Sequence, residues 1–236
     1  MNTHAVSLPA KLTHGGLLQF RDQVLAAPSG SIIVVHGATD EVFCEGLALG
    51  ALAAVSPTLR DEGLDAFSDA IWALLAGPNP CIAQVTGRAI GGGFGIAAAC
   101  DVVIATPHAS FGLPEPLFGL IPGLITPIIR QRVSSPTLRR LAIRGESMDA
   151  QTALALGVAD AVVGDDVLEK TVRGWVRRLA RAHPPAVGRL KTWLGEMDDI
   201  RAQMDVGKTH MRELLSDPHV MQRVAAFEAG LAPWEV

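Results

Sequence analysis

The sequence predicts an α/β fold in which parallel strands are joined by right-handed helical crossovers, and three observations predict it. Short β-branched runs alternate with stretches of helical period along the chain. A glycine-rich turn, Gly91-Gly92-Gly93, stands between a strand-like segment and an Ala-rich one. The chain has 236 residues, 49% of them hydrophobic and 19% charged, which is enough apolar material for one compact core without division into domains.

The first strand of the regular part is read over 31–36, where Ile32-Ile33-Val34-Val35 follows Ser31 without interruption by a polar residue. A helix is predicted near 60–76, a strand over 81–86 beginning Cys81-Ile82-Ala83-Gln84-Val85, a helix near 93–99 opening on the glycines, and a strand over 102–105. From Val167 to Ala182 the apolar residues Val167, Leu168, Val172, Trp175, Val176 and Leu179 share one helical face, with Lys170, Arg173, Arg177 and Arg178 largely on the other. Gly157 and Gly164 are read as helix-end and turn residues. No linker, low-complexity tract or repeat marks a second domain, so residues 1–236 are taken as one.

Composition excludes several classes. A net charge of −4 with no Lys/Arg run gives no electrostatic case for nucleic acid or an anionic membrane surface. The three cysteines, Cys44, Cys81 and Cys100, are unevenly spaced and form no C-x-x-C or Cys/His cluster, which fits a reducing compartment and no metal site. Met1 to Pro9 lacks a basic segment followed by a long apolar one, and a cytoplasmic location is expected.

The chemistry starts at the glycines. Without side chains the backbone can approach a ligand closely, and at a helix N-terminus its N–H groups point where negative charge is favoured. Taken alone, Arg88-Ala89-Ile90-Gly91-Gly92-Gly93-Phe94-Gly95 is neither a dinucleotide nor a P-loop fingerprint, and a tight turn is the commoner meaning. Two further segments change this: Val42-Phe43-Cys44-Glu45-Gly46-Leu47-Ala48-Leu49 upstream, and Ser110-Phe111-Gly112-Leu113-Pro114-Glu115 before Gly119-Leu120-Ile121-Pro122-Gly123 downstream. In this order and spacing the three resemble the motifs of the crotonase superfamily, which includes enoyl-CoA hydratases and isomerases. The resemblance continues through Met148-Asp149-Ala150 and Ala153 to Asp160, and reaches Ala225-Ala226-Phe227-Glu228 and Pro233-Trp234.

The resemblance implies a crotonase-like spiral of ββα units over about 1–180, with C-terminal helices over about 181–236 that make a homotrimer or hexamer. Val6-Ser7-Leu8-Pro9-Ala10-Lys11 then matches the end of the family's N-terminal strands, leaving almost nothing before it, so a shortened N-terminal sheet edge is expected. The substrate implied is an acyl-CoA or acyl-carrier-protein thioester, with no cofactor beyond the coenzyme A or phosphopantetheine that the substrate carries.

The family's two oxyanion donors fall on the backbone N–H groups of Leu47 and Gly92, with Gly46, Gly91 and Gly93 leaving room for the thioester. Of its two usual carboxylates, one would stand at Gly95 and is missing; the other is Glu115. Leu113 and Phe118, with Leu117 and Ile121, are candidates for an apolar surround that would raise the Glu115 pKa. A single carboxylate suits proton transfer from C2 to C4 of a 3-enoyl thioester, so the expected activity is Δ3-Δ2 enoyl thioester isomerisation. Alternatives are a hydratase or decarboxylase, and a catalytically silent partner subunit. Glu45 stands where the family has a small residue and is read as a loop carboxylate or a substitute acid, and Arg88 as a turn arginine or a contact for a phosphate or carboxylate. Asp101 is expected to end the Ala-rich helix or anchor the next strand.

Overall fold

A computed structural model describes residues 2–233; Trp234, at the far end of the family resemblance, lies outside them. The chain runs as β1 (Thr3–Ser7), α1 (His14–Leu25), β2 (Ile32–His36), β3 (Val42–Cys44), α2 (Leu49–Ala54) and α3 (Pro57–Ala76). Next come β4 (Cys81–Val85), β5 (Arg88–Ile90), α4 (Gly92–Ala99), β6 (Val102–Ala105), β7 (Ser110–Gly112) and a 3₁₀ turn (Glu115–Phe118). Then follow α5 (Thr126–Ile129), α6 (Ser135–Arg144), β8 (Ser147–Asp149), α7 (Ala150–Ala155), β9 (Ala161–Val162), α8 (Asp165–Leu179), α9 (Pro184–Met197), α10 (Ile200–Leu214) and α11 (Pro218–Glu228).

After β1, the successive strand pairs β2–β3, β4–β5 and β6–β7 each give one strand to each of two sheets. The larger is parallel in the order β1-β2-β4-β6-β9, and the smaller runs β3-β5-β7-β8. Among the described strands only the β7–β8 pair is antiparallel, an exception to the parallel reading of the sequence. The uninterrupted apolar run of β2 has a plain cause: Ile33 and Val35 face the main core while Ile32 and Val34 face α8, so both sides are covered. Helix α4 is apolar on every side and wholly buried, as a helix without a polar face must be.

Three boundaries differ from the sequence reading. Helix α3 begins at Pro57, three residues before 60, because Ser56 caps it with its hydroxyl accepting from Leu59 N–H at 3.3 Å. Helix α8 begins at Asp165 and ends at Leu179; Leu168, Val172 and Val176 are buried, but Val167 is 39% exposed and does not belong to the packed face. The N-terminus holds a five-residue strand where almost nothing was expected: β1 pairs with β2 from Thr3↔Ile32 to Ser7↔His36 and forms the sheet edge. Gln23 of α1 covers part of that edge, accepting from Ser7 N–H at 3.1 Å.

The C-terminal helices belong to the same core, since Ile200, Met204, Met211, Leu215 and Val220 are buried in the main cluster. Helix α9 is tied in by a buried charge. Lys191 Nζ donates to Asp101 Oδ2 at 2.6 Å and to the carbonyls of Leu74 and Asn79 at 2.8 and 2.9 Å, and Asp101 also accepts from Cys81 N–H at 2.7 Å. Burial pulls the Lys191 pKa down, but the facing Cys81 and Asp101 outweigh it and hold the pKa above the ordinary lysine value. Asp101 thus anchors the strand as the sequence suggested, while its lysine partner comes from a helix 90 residues away.

Asp101→Ala leaves an ammonium buried without its counter-charge and is expected to destabilise the fold by about 3 kcal/mol. Denaturant unfolding at neutral pH measures this, and adding Lys191→Met to the same chain is expected to restore part of the loss.

Candidate active site

Strands β3 and β5 lie side by side, and the chain leaves both at the same end of the small sheet. After β3 comes Glu45-Gly46-Leu47; after β5 comes Gly91-Gly92, the start of α4. These two segments abut. Gly46 has a φ of +77°, and a Cβ on it would lie 2.8 Å from Gly92 N and 2.9 Å from Ile90 O, so only glycine allows both the turn and the approach. A Cβ on Gly93 would overlap the Cys44 carbonyl oxygen, which closes the contact from the other side.

The loop after β3 is held from outside by residues 10–12. Glu45 N–H donates to Ala10 O at 2.7 Å, Leu12 N–H to Gly46 O at 2.8 Å and Ala48 N–H to Leu12 O at 2.9 Å. Leu47 N–H, between them, enters no backbone hydrogen bond among the described residues. Gly92 N–H is the first of α4 and has no carbonyl one turn back to receive it. Both residues line one cavity of about 350 Å³.

Glu115 enters the cavity from the 3₁₀ turn that follows Pro114. The carboxylate has its room because Gly91, at a φ of +53°, has no side chain; a Cβ there would lie 2.8 Å from Glu115 Oε1. Although the residue as a whole is only half-buried, its Oε2 is buried and without a hydrogen-bond partner among the described residues. Burial drives the Glu115 pKa up from 4.5 to about 7, against the opposing pull of its own backbone N–H.

The remaining walls divide by polarity. Phe67, Phe118, Leu120, Leu124, Ile125 and Met211 line the cavity and are buried. Lys11, Arg88 and Glu228 also line it and are exposed. Arg88 Nε and one terminal nitrogen both donate to Glu45 Oε1, at 3.0 and 2.8 Å, so Glu45 stands at the cavity in an ion pair with its neighbouring strand. Phe118 packs edge-on against Phe227 of α11, with centroids 4.9 Å apart.

Of the residues singled out in the sequence, Glu45, Gly46, Leu47, Gly91, Gly92, Glu115 and Phe118 come together here. Gly93, Gly95 and Leu113 do not line the cavity and are corrected as substrate contacts: Gly93 faces the Cys44 carbonyl, Gly95 faces Ile125, and Leu113 is fully buried in the core. Phe67, Ile125 and Met211 were not foreseen. Their helical or loop positions show in sequence only as apolar residues, with no signal that separates cavity lining from core.

Comparisons with known proteins bear on the family and the fold. The sequence profile of the enoyl-CoA hydratase/isomerase family matches residues 7–228. The chain is 30% identical to the carnitinyl-CoA dehydratase of Proteus mirabilis over 234 residues, 97% of this chain and 87% of that protein. It is 29% identical to a probable enoyl-CoA hydratase of Mycobacterium bovis over 181 residues, 76% of this chain and 67% of that one. Among solved structures, an enoyl-CoA hydratase from Bacillus halodurans superposes with a TM-score of 0.87 at 19% identity, covering 95% of this chain and 96% of that one. One from Mycobacterium avium subsp. paratuberculosis gives 0.84 at 24% identity, covering 98% and 94%. With the family profile spanning the fold and the cavity alike, the chain belongs to the enoyl-CoA hydratase/isomerase family, the crotonase superfamily.

Proposed function

We propose that this crotonase-family enzyme is a Δ3-Δ2 enoyl thioester isomerase, acting on a coenzyme A or carrier-protein thioester without a further cofactor. The observation that carries the reading is the solitary buried carboxylate: Glu115 lines an apolar cavity with one oxygen unpartnered. The Glu115 carboxylate takes a proton from C2 of a 3-enoyl thioester, and the C–H electrons move into the carbonyl to give a dienolate. The same proton returns from Glu115 to C4, the double bond settles between C2 and C3, and no water is consumed. The N–H groups of Leu47 and Gly92 hold the oxyanion in between, each contributing about 3 kcal/mol at the transition state.

A base with a pKa near 7 is matched to this task, since it is ionised at working pH yet basic enough to take a carbon-bound proton. The relatives named as hydratase or dehydratase favour a second reading, a lyase in which Glu115 works with an ordered water. Glu45 is less suited to be a second acid there, because Arg88 already engages its carboxylate. For assembly we infer a homotrimer or hexamer, supported by Leu190, Trp193, Leu194 and Met197 exposed along α9 and by Phe227 and Leu231 exposed at and beyond α11. Val220 and Val224, by contrast, are buried within the chain itself. Among the described residues no helix is long and apolar enough to cross a membrane.

Glu115→Gln is expected to lower isomerisation of a 3-enoyl thioester by about 10²–10⁴-fold with thioester binding nearly unchanged. Deuterium incorporation at C2 and C4 in deuterated water reads the proton transfers directly; full exchange in the variant would remove Glu115 as the base. The wild-type kcat is expected to rise with pH through about 7 as Glu115 ionises, an acid limb that the glutamine variant lacks. Stability moves the opposite way. The folded-state pKa lies above that of an unfolded glutamate, so the neutral carboxyl is the form the fold favours, and this contribution, about 3 kcal/mol in full, is lost as pH rises through about 7. Thermal melts at pH 5 and pH 8 are therefore expected to show wild type losing stability relative to Glu115→Gln at the higher pH. Light scattering at micromolar concentration is expected to give a trimer or its dimer, and a stable monomer would refute that assembly.

A further inference from the structure

The helix that carries Gly92 also carries Gly95, one turn further on, and that glycine is blocked. A Cβ on Gly95 would overlap Ile125 Cγ2 and lie 2.6 Å from Ile125 Cβ, so even alanine at 125 leaves no space for a side chain at 95. Ile125 lines the cavity and Gly95 does not, which places the isoleucine side chain between position 95 and the substrate space. Nor can Ile125 move aside easily. Two residues before it, the backbone of Gly123 lies against that of Gly207 in α10, where a Cβ on either glycine would overlap the carbonyl of the other. Thr126, the next residue, is fixed by its hydroxyl and its N–H, both donating to Pro122 O at 2.7 and 2.9 Å.

We propose that Ile125 determines which reaction this cavity performs, by filling the path through which a second proton-handling side chain would enter. The proposal rests on the reading of Glu115 as the base. Adding water to a 2-enoyl thioester forms a C3–O bond, removes a proton from that water and delivers a proton to C2, two transfers at different atoms that two carboxylates divide between them. Moving a proton from C2 to C4 needs one carboxylate and an absence of water. Ile125 enforces the second condition: it is 3% exposed, branched at Cβ, and stacked on a glycine of a helix that is buried on every side. The pair Gly95 and Ile125 is thus a reciprocal exclusion, in which either position can hold a side chain and the other then cannot.

Two measurements test it. In thermal melts, Gly95→Ala is expected to lower the melting temperature, and adding Ile125→Gly to that variant is expected to recover stability relative to the sum of the two single changes; strict additivity would overturn the exclusion. This readout does not depend on activity. In H₂¹⁸O, a 2-enoyl thioester is then followed by mass for addition of water. Wild type and Ile125→Val are expected at background, and Gly95→Glu/Ile125→Gly about tenfold or more above it, because the double change opens the path and supplies the second acid. Ile125→Asp, which puts a carboxylate into the same space from the opposite wall and keeps Gly95, carries the same expectation. No gain in a folded variant, or water addition by wild type as fast as by the double variant, would overturn the role of Ile125. A wild type inert toward 3-enoyl thioesters refutes the isomerase reading instead, which the coupling of the melts leaves untouched.

Discussion

The site depends on one backbone contact, that of Gly46 with Gly92. The two oxyanion donors proposed here sit on segments that the chain visits 45 residues apart, and nothing covalent relates them. Parallel pairing of β3 with β5 brings their ends to the same level, and a register shift between Val42 and Cys44 adjusts the last step. The contact itself exists because Gly46 lacks a side chain and takes a left-handed φ. A methyl group at Gly46 would lie 2.8 Å from Gly92 N and push the loops apart, and a misplacement on the order of 1 Å at such donors is costly to catalysis. The residues that strap the Gly46 loop from outside, Ala10 and Leu12, therefore hold the loop on which the proposed chemistry depends.

Around that contact the fold spends stability on a carboxylate. An unpaired buried oxygen such as Glu115 Oε2 costs about 1–3 kcal/mol, a deficit that the extensive apolar core offsets. The apolar floor of the cavity raises the pKa without any charged neighbour being required. Glu45, beside the Gly46-Leu47 segment, is held by Arg88 at the polar rim, apart from the apolar floor. Three carboxylates line the cavity, but Glu115 alone has a buried, unpartnered oxygen.

Much of the architecture was legible because it follows from local rules. The runs at β2, β6 and the first three residues of β4 are apolar on consecutive residues because two layers cover them, and Gly157 and Gly164 stand at the ends of α7 and α8 as their sequence setting implies. Boundaries failed where a cap or a pairing partner decided them: Ser56 lengthens α3, and β1 forms on β2 from a segment whose own pattern is weak. The Lys191–Asp101 pair was legible on one side only, since a lysine in an amphipathic helix reads as a solvated residue until its tertiary neighbours are known.

By itself the sequence determined the family, the glycines at the proposed oxyanion loops, and the presence of Glu115 together with the absence of an acid at position 95; these are matters of residue identity at short range, and side-chain chemistry or its lack fixes them. Only the tertiary structure decided that Gly93, Gly95 and Leu113 stay out of the cavity, that Gly91 makes room for the Glu115 carboxylate, and that Ile125 fills the space over Gly95. The reason is physical: burial, pKa and exclusion arise from packing between residues distant in the chain, and a linear pattern records which residues are apolar but not which apolar residue stands against which glycine.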